Sequence, residues 1–252
     1  DADEARATNQ VAKEIATSIN TLATPTNNIT ALNRGSSVAI WRDTGEWVDV
    51  EISSGQGTSA ITAINKRVEE IDGLPLYAVN GTRITVRPNP LSEKGTYYLQ
   101  AEATNDDAVI ASIPSNRLME EVVWAEHRAP DQPHSISADT LPKTIVYNND
   151  TDDFTVGTPA VGWDARRTGD DDSAPQPYFV DKTITAISYL QKRLVFLSED
   201  TVVMSETDNL FNWWRASAVT LLVTDPVSIA SDAPNIDKLH SMTNHNRDLL
   251  VT

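Results

Sequence analysis

Four histidines, His127, His134, His240 and His245, are the side chains here that titrate near neutral pH. His240 and His245 stand five apart in a polar stretch. That spacing does not put both on one helical face, so surface positions are favoured over a metal site. The chain has no cysteine, which removes thiolate nucleophiles, Cys-ligated metals and disulfides. Asp170, Asp171 and Asp172 offer hard oxygen ligands but lack the alternating spacing and distal Glu of a calcium loop, so a solvated acidic loop is the simpler reading. With 36 Asp plus Glu, some carboxylate pair always suits glycoside hydrolysis, and such a pair carries almost no information. Trp213-Trp214 could stack on a sugar or a base or pack between neighbouring elements, and packing is favoured. "GTPAVGWD" lacks the Lys and Ser/Thr of a phosphate loop, and no Gly-x-Ser-x-Gly elbow is present. Three glycosylation-type triplets begin at Asn28, Asn80 and Asn149, a pattern common by chance. The residue types thus point away from an enzyme and imply no cofactor and no metal.

Stepping out to the whole chain, 252 residues suffice to bury a core without covalent staples. Hydrophobic residues are 40% and charged residues 22%, an ordinary globular balance. No apolar run approaches the ~18 residues of a membrane-spanning helix. Net charge is −16 and the isoelectric point about 4.5, which disfavours tight phosphate gripping and repels DNA. That suits either simple solubility or a protein that touches DNA without holding it. The first residue is Asp1 rather than Met and the final RDLLVT reads as the start of a strand, so a piece of a longer protein is expected.

The elements read as follows. Val11, Ile15, Ile19 and Leu22 recur at helical spacing, with Thr8 or Asn9 as cap and Thr24-Pro25 as stop. "SVAIWRDTGEWVDVEIS" predicts a hairpin turning near Asp43-Thr44-Gly45. Ile61, Ile64, Val68 and Ile71 predict a second helix capped by Gly73. Asn80-Gly81 predicts a hairpin between two alternating runs, and Gly95–Thr104 and Glu120–Pro130 continue the strands. Another hairpin turns through Asn148–Asp153. The acidic, Pro-containing stretch from Gly162 to Phe179 reads as a loop and a boundary. Beyond it, short strands at Ile184–Tyr189, Leu194–Leu197 and Val202–Met204 have the strand–turn–strand spacing of a propeller blade. "DPVSIAS" and "KLHSMTNHNRDLLVT" could begin a second.

The order of short motifs then becomes specific. Thr104-Asn105-Asp106 is followed by Trp124 and Glu126, then Leu141-Pro142-Lys143-Thr144-Ile145. Trp163 and Arg166, Gly169-Asp170-Asp171 and Pro177-Tyr178-Phe179-Val180 come next. Arg193-Leu194-Val195-Phe196-Leu197-Ser198, Met204-Ser205 and Phe211-Asn212 complete the series. This order resembles the tail tubular protein B family, the nozzle proteins of short-tailed bacteriophages. The match is strong from about Tyr97 to Trp214 and looser over the N-terminal part. Two local departures are Val195, where the family has a small residue, and Trp213-Trp214 in place of a Phe-rich pair.

The resemblance implies a fold that is mainly β with an α+β N-terminal part, a strand-rich middle and the first blade or blades of a β-propeller. Its divisions would be 1-73, platform-like; 74-162, β-rich; and 163-252, a truncated propeller start. It implies a structural part of the virion tail: a homo-hexamer forming part of the DNA-ejection conduit, docked to the tail adaptor (tail tubular protein A) and to fibres or spikes, with DNA passing unbound. In it Trp124, Pro142, Trp163, Arg166, Asp170, Asp171, Phe179, Arg193, Leu194, Leu197, Ser198, Met204, Ser205, Phe211 and Asn212 would be structural. A carbohydrate-binding or polysaccharide-degrading tail module using Trp213, Trp214 and a carboxylate pair is the alternative.

Overall fold

The computed structural model describes residues 2–22, 28–42, 48–53, 61–104, 118–138, 140–232 and 238–252, with side chains from residue 8 onward. They form two compact units, Asp1–His127 and Arg128–Thr252. The described residues are mostly β with one helix.

In the first unit the helix α1 runs Ala2–Leu22. Thr8 and Asn9 therefore lie inside it rather than capping it, and the Thr24-Pro25 stop falls outside the described residues. Its seat is not the large-residue stripe. Ala12 and Ala16 are buried while Val11 and Leu22 are exposed, with Ile15 and Ile19 half-buried. Two alanines let the helix approach the hairpin closely, and Asn20 then pins it: its side-chain NH2 donates to the Ala31 carbonyl and its carbonyl accepts the Ala31 N–H, both at 2.8 Å. That hairpin is β1, Ile29–Arg34, against β2, Ser37–Arg42. It precedes the expected one, whose turn at 43–45 lies outside the described residues. Val48–Ile52 are not a strand.

The expected second helix does not form over the described residues 61–73. Ile61–Asn65 has no regular structure, Arg67–Val68 is the short strand β3, and Asp72-Gly73 is a turn. β3 instead pairs in parallel with β5, a long-range contact that overrides the local helical spacing.

Asn80-Gly81 does turn the chain, with Gly81 at φ +83°, a conformation glycine adopts without penalty. The flanking strands part rather than pairing. β4, Tyr77–Val79, joins β7, Met119–His127, and β5, Arg83–Val86, joins β6, Tyr97–Ala103. The reason is at the turn itself: Gly81 N–H donates to Ala101 O and Ala101 N–H to Thr82 O, so β6 takes the hydrogen bonds a tight hairpin would use. The five strands are ordered β3-β5-β6-β7-β4 in a curled sheet around Ala78, Ala101 and Val122.

In the second unit β8, Thr144–Asn148, and β9, Asp153–Gly157, form the expected hairpin. β10, Ile184–Leu190, β11, Arg193–Ser198, β12, Thr201–Met204, and β13, Val227–Ala230, follow as an antiparallel meander in sequence order. Val227–Ala230 is therefore the fourth strand of this sheet and not the opening of another. β14, Met242–His245, and β15, Asp248–Val251, make a separate hairpin.

The two central strands, β11 and β12, are buried on both faces. On one, Phe196 and Val203 meet Leu141, Phe179 and Trp213. On the other, Val195, Leu197 and Val202 meet Leu239, Met242, Leu249 and Val251. Strands covered on both sides read as continuous apolar runs, which is why "RLVFLS" and "TVVM" carry no alternation.

Candidate functional site

The residues singled out between Leu141 and Asn212 converge on one framework within the second unit. Its apolar part is a ring cluster. Phe196 and Trp213 stack at 4.6 Å between centroids, and Phe179 meets both edge-on at 5.1 and 4.9 Å. Leu141, beside the half-buried Pro142, fills the same cluster, and Leu194 lies against it. Trp213 and Trp214 are only 4% and 3% exposed, so neither offers a face to a sugar or a base. Val195, where a smaller residue was expected, is fully buried on the sheet's opposite face, where Leu197 and Met204 also pack.

The polar part is held by Arg166, whose side chain is wholly buried. Its guanidinium donates to Gln132 Oε1 at 2.6 Å and pairs with Asp171 at 2.8 Å. It also lies over the Trp214 ring at 4.6 Å, where the electron-rich face favours a cation. The Trp214 indole N–H donates to Asp164 O at 3.1 Å. Next to Asp164, Trp163 meets Phe211 edge-on at 5.3 Å. Asn212 donates to Glu206 Oε2 and accepts the Trp214 N–H, tying the Phe-Asn step to the double Trp.

The three aspartates thus divide their work. Asp170 Oδ1 accepts from Asp172 N–H, Ser173 N–H and the Ser173 hydroxyl, closing a turn. Asp171 neutralises the buried Arg166, and Asp172 is exposed. The solvated-loop reading holds only in part, because two of the three carboxylates are structural. Among the described residues no group of His, Asp and Glu is placed to hold a metal ion.

Arg193 is held by three backbone carbonyls. It donates to Ser205 O at 2.6 Å, Asp225 O at 2.7 Å and Val223 O at 2.8 Å. Ser205, fully buried, accepts the Leu194 N–H on its hydroxyl and extends the β11–β12 ladder. Ser198, equally buried, donates to Thr183 O. Asp225 was not singled out from sequence, yet it is 2% exposed and its carboxylate accepts the N–H groups of Ala216 and Leu222. Its signal was the dipeptide Asp225-Pro226 closing an apolar run, a turn former before a residue without an N–H.

Tyr178 O–H donates to Asp200 at 2.8 Å, and this bond, helped by the Thr201 hydroxyl, holds the Asp200 carboxyl below the usual carboxylate range. In the first unit Trp124 packs on Ala78, Ala101 and Val122 and donates its indole N–H to Pro75 O at 3.0 Å. Asn105 and Asp106 lie outside the described residues.

A cleft of about 160 Å³ is lined by Asp164, Arg167, Glu206, Asn209, Asn212 and Arg215, among others. Its two carboxylates already accept from Asn209 and Asn212. This arrangement can fix backbone and pack rings.

The family model for bacteriophage nozzle protein matches residues 1–251. Tail tubular protein gp12 of Escherichia phage T7 is 24% identical to the chain over 198 residues, which is 78% of this chain and 22% of that protein. The chain thus spans well under a third of the relative's length.

Proposed function

The chain belongs to the bacteriophage nozzle protein family and is a part of the virion tail, and from that premise we propose that it is a non-enzymatic wall segment of the DNA-ejection conduit. In this reading six copies form a ring, docked to the tail adaptor (tail tubular protein A) and to fibres or spikes. The meander β10–β13 is the first blade of a propeller, and β14–β15 starts the next. The burial of both faces of its central strands, β11 and β12, supports the blade, because blades stack face to face. The divisions 1-73, 74-162 and 163-252 go with this reading as platform, β-rich part and propeller start. The net charge of −16 suits a wall that DNA slides past without being held.

The observation that carries the structural reading is the fate of the motif side chains. Arg166, Asp170, Asp171, Arg193, Ser198, Ser205 and Asn212 each bond to backbone or to a neighbouring side chain within the framework. A catalytic set needs such atoms aimed at a substrate. Immunogold electron microscopy with antibody against this chain tests the assignment. Gold at the tail tip or the tail–fibre junction is expected. Unlabelled particles from a lysate that is positive by immunoblot would remove the conduit reading.

A further inference from the structure

Asn80-Gly81 is the chain's only Asn-Gly step. Such a step carries its own reaction. The glycine main-chain nitrogen can attack the asparagine side-chain amide carbon, because glycine has no Cβ to hinder the approach. Space does not prevent it here. Gly81 is exposed, and a Cβ added to it would meet nothing within 4 Å.

What stands in the way is hydrogen bonding. The attacking nitrogen must first give up its proton, and that proton is held. Gly81 N–H donates to Ala101 O at 2.8 Å. The Ala101 N–H returns to Thr82 O at 2.9 Å, so β6 clasps the turn with a donor and an acceptor. The turn is also closed on itself. Thr82 N–H donates to Val79 O at 3.0 Å, and the Thr82 hydroxyl donates to the same carbonyl at 2.6 Å. Asn80 and Gly81 are its two central residues, and positive φ at the second alone, +83°, is the type II pattern. Ala101 is fully buried beside Ala78 and Val122, so its carbonyl is fixed by the core of the sheet.

We propose that Asn80 is a self-modification site that β6 holds closed, and that it reacts only when Ala101 releases the Gly81 N–H. The step needs water and no other reagent. Gly81 N loses its proton and bonds to Asn80 Cγ. The bond from Cγ to the side-chain nitrogen breaks, and that nitrogen takes up a proton and leaves as ammonia. The product is a five-membered succinimide ring, which water then opens. Hydrolysis at Cγ leaves an aspartate. Hydrolysis at the main-chain carbonyl carbon leaves an isoaspartate, whose main chain is one carbon longer. Either product adds a negative charge to the link between β4 and β5. The longer link cannot restore the Gly81–Ala101 bond in register, so a transient opening of the turn becomes permanent.

Peptide mass spectrometry of the 252-residue chain at mildly alkaline pH tests this, beside a synthetic peptide of residues 76–86 in the same buffer. Conversion is read from the mass gain when an amide becomes an acid, and Gly81 amide exchange is measured on both samples. The native chain is expected to convert at least about a hundredfold more slowly than the peptide, since only the opened fraction reacts. Its conversion and its Gly81 exchange should be slowed by the same factor, because both need the same N–H released. Thr82→Ala removes the hydroxyl tie to Val79 O and should speed both together, by about two- to tenfold. A native chain that converts as fast as the peptide overturns the proposal. So does a Gly81 amide that exchanges in the native chain as fast as in the peptide. A Thr82→Ala chain whose Gly81 exchange rises while conversion does not would also overturn it, since the two would then not share one opening.

Discussion

Replacing Arg193 by Met keeps the aliphatic stem and removes the guanidinium that ties β11 to the loop ending at Asp225. Three donated hydrogen bonds are lost, to Ser205 O, Asp225 O and Val223 O. A bond from a charged donor contributes about 1.5–3 kcal/mol net. The Val223 carbonyl lies beside a side chain that is 96% exposed and can be taken up by water, so two bonds are counted in full. The expected cost is then about 3–6 kcal/mol, a large share of the ~5–15 kcal/mol that holds a domain together. For a unit of this size that lowers the melting temperature by roughly 10–20 °C. Scanning calorimetry reads the total, and amide exchange reads the place. The N–H groups of Ala216 and Leu222, bound by Asp225, should lose protection before those of β11 and β12. Arg193→Lys recovers a minor part, because an ammonium cannot span three carbonyls in a fork. A Met variant melting within about 2 °C of wild type, with Ala216 and Leu222 still protected, would show that the guanidinium is not what fixes this loop.

Three further outcomes follow from the same geometry. Asp171→Ala strands the buried Arg166 cation and should cost about 2–4 kcal/mol, whereas adding Arg166→Met should return at least half of it in denaturant titrations, since an apolar chain of similar length needs no counter-ion. Gly169→Ala should cost about 2–4 kcal/mol by the same assay, because φ is +71° and the new Cβ would sit 2.5 Å from Ser173 Oγ, disturbing the Asp170 turn. Asp200 is the pH-dependent case. Its folded carboxyl is held below its ordinary value by the Tyr178 hydroxyl, so the stability it contributes is present above the unfolded pKa of about 3.9 and is lost as pH falls through the folded value. Tyr178→Phe should therefore lower the melting temperature at neutral pH, and its gap to wild type should narrow in scans taken below about pH 4.

What the sequence made legible was local pairing and its punctuation. The β8–β9 hairpin, the alternation in Ile184–Leu190 and the β11–β12 turn are specified by neighbours a few residues apart, and those expectations match the structure. The failures share a cause. Ile61, Ile64, Val68 and Ile71 have helical spacing, but the pairing of β3 with β5 is a contact across nearly twenty residues that periodicity cannot see. Asn80-Gly81 correctly marked a turn, yet which strands flank it was decided by β6, whose Ala101 takes the hydrogen bonds at that turn. The helix seat on Ala12 and Ala16 was hidden because alanine adds little to an apolar stripe while permitting the closest approach.

The motif residues sit between these cases, and their positions explain why order along the chain was more informative than any single match. Arg166 reaches back to Gln132 and forward to Trp214. Arg193 reaches forward to Asp225, and Trp214 reaches back to Asp164. Each is a cross-tie between segments 30 to 50 residues apart in sequence. A cross-tie leaves no periodic signature, since its partner is a carbonyl or one polar atom far away. Changing one member leaves a buried group unpaired, at about 1–3 kcal/mol for a neutral group and more for a charge. The cross-ties therefore hold the segments to one order and spacing. That physical constraint is what an ordered series of individually weak motifs records. It also ties the framework to the surface, because Arg193 fixes the loop whose side chains, Val219 to Val223, face away from the molecule.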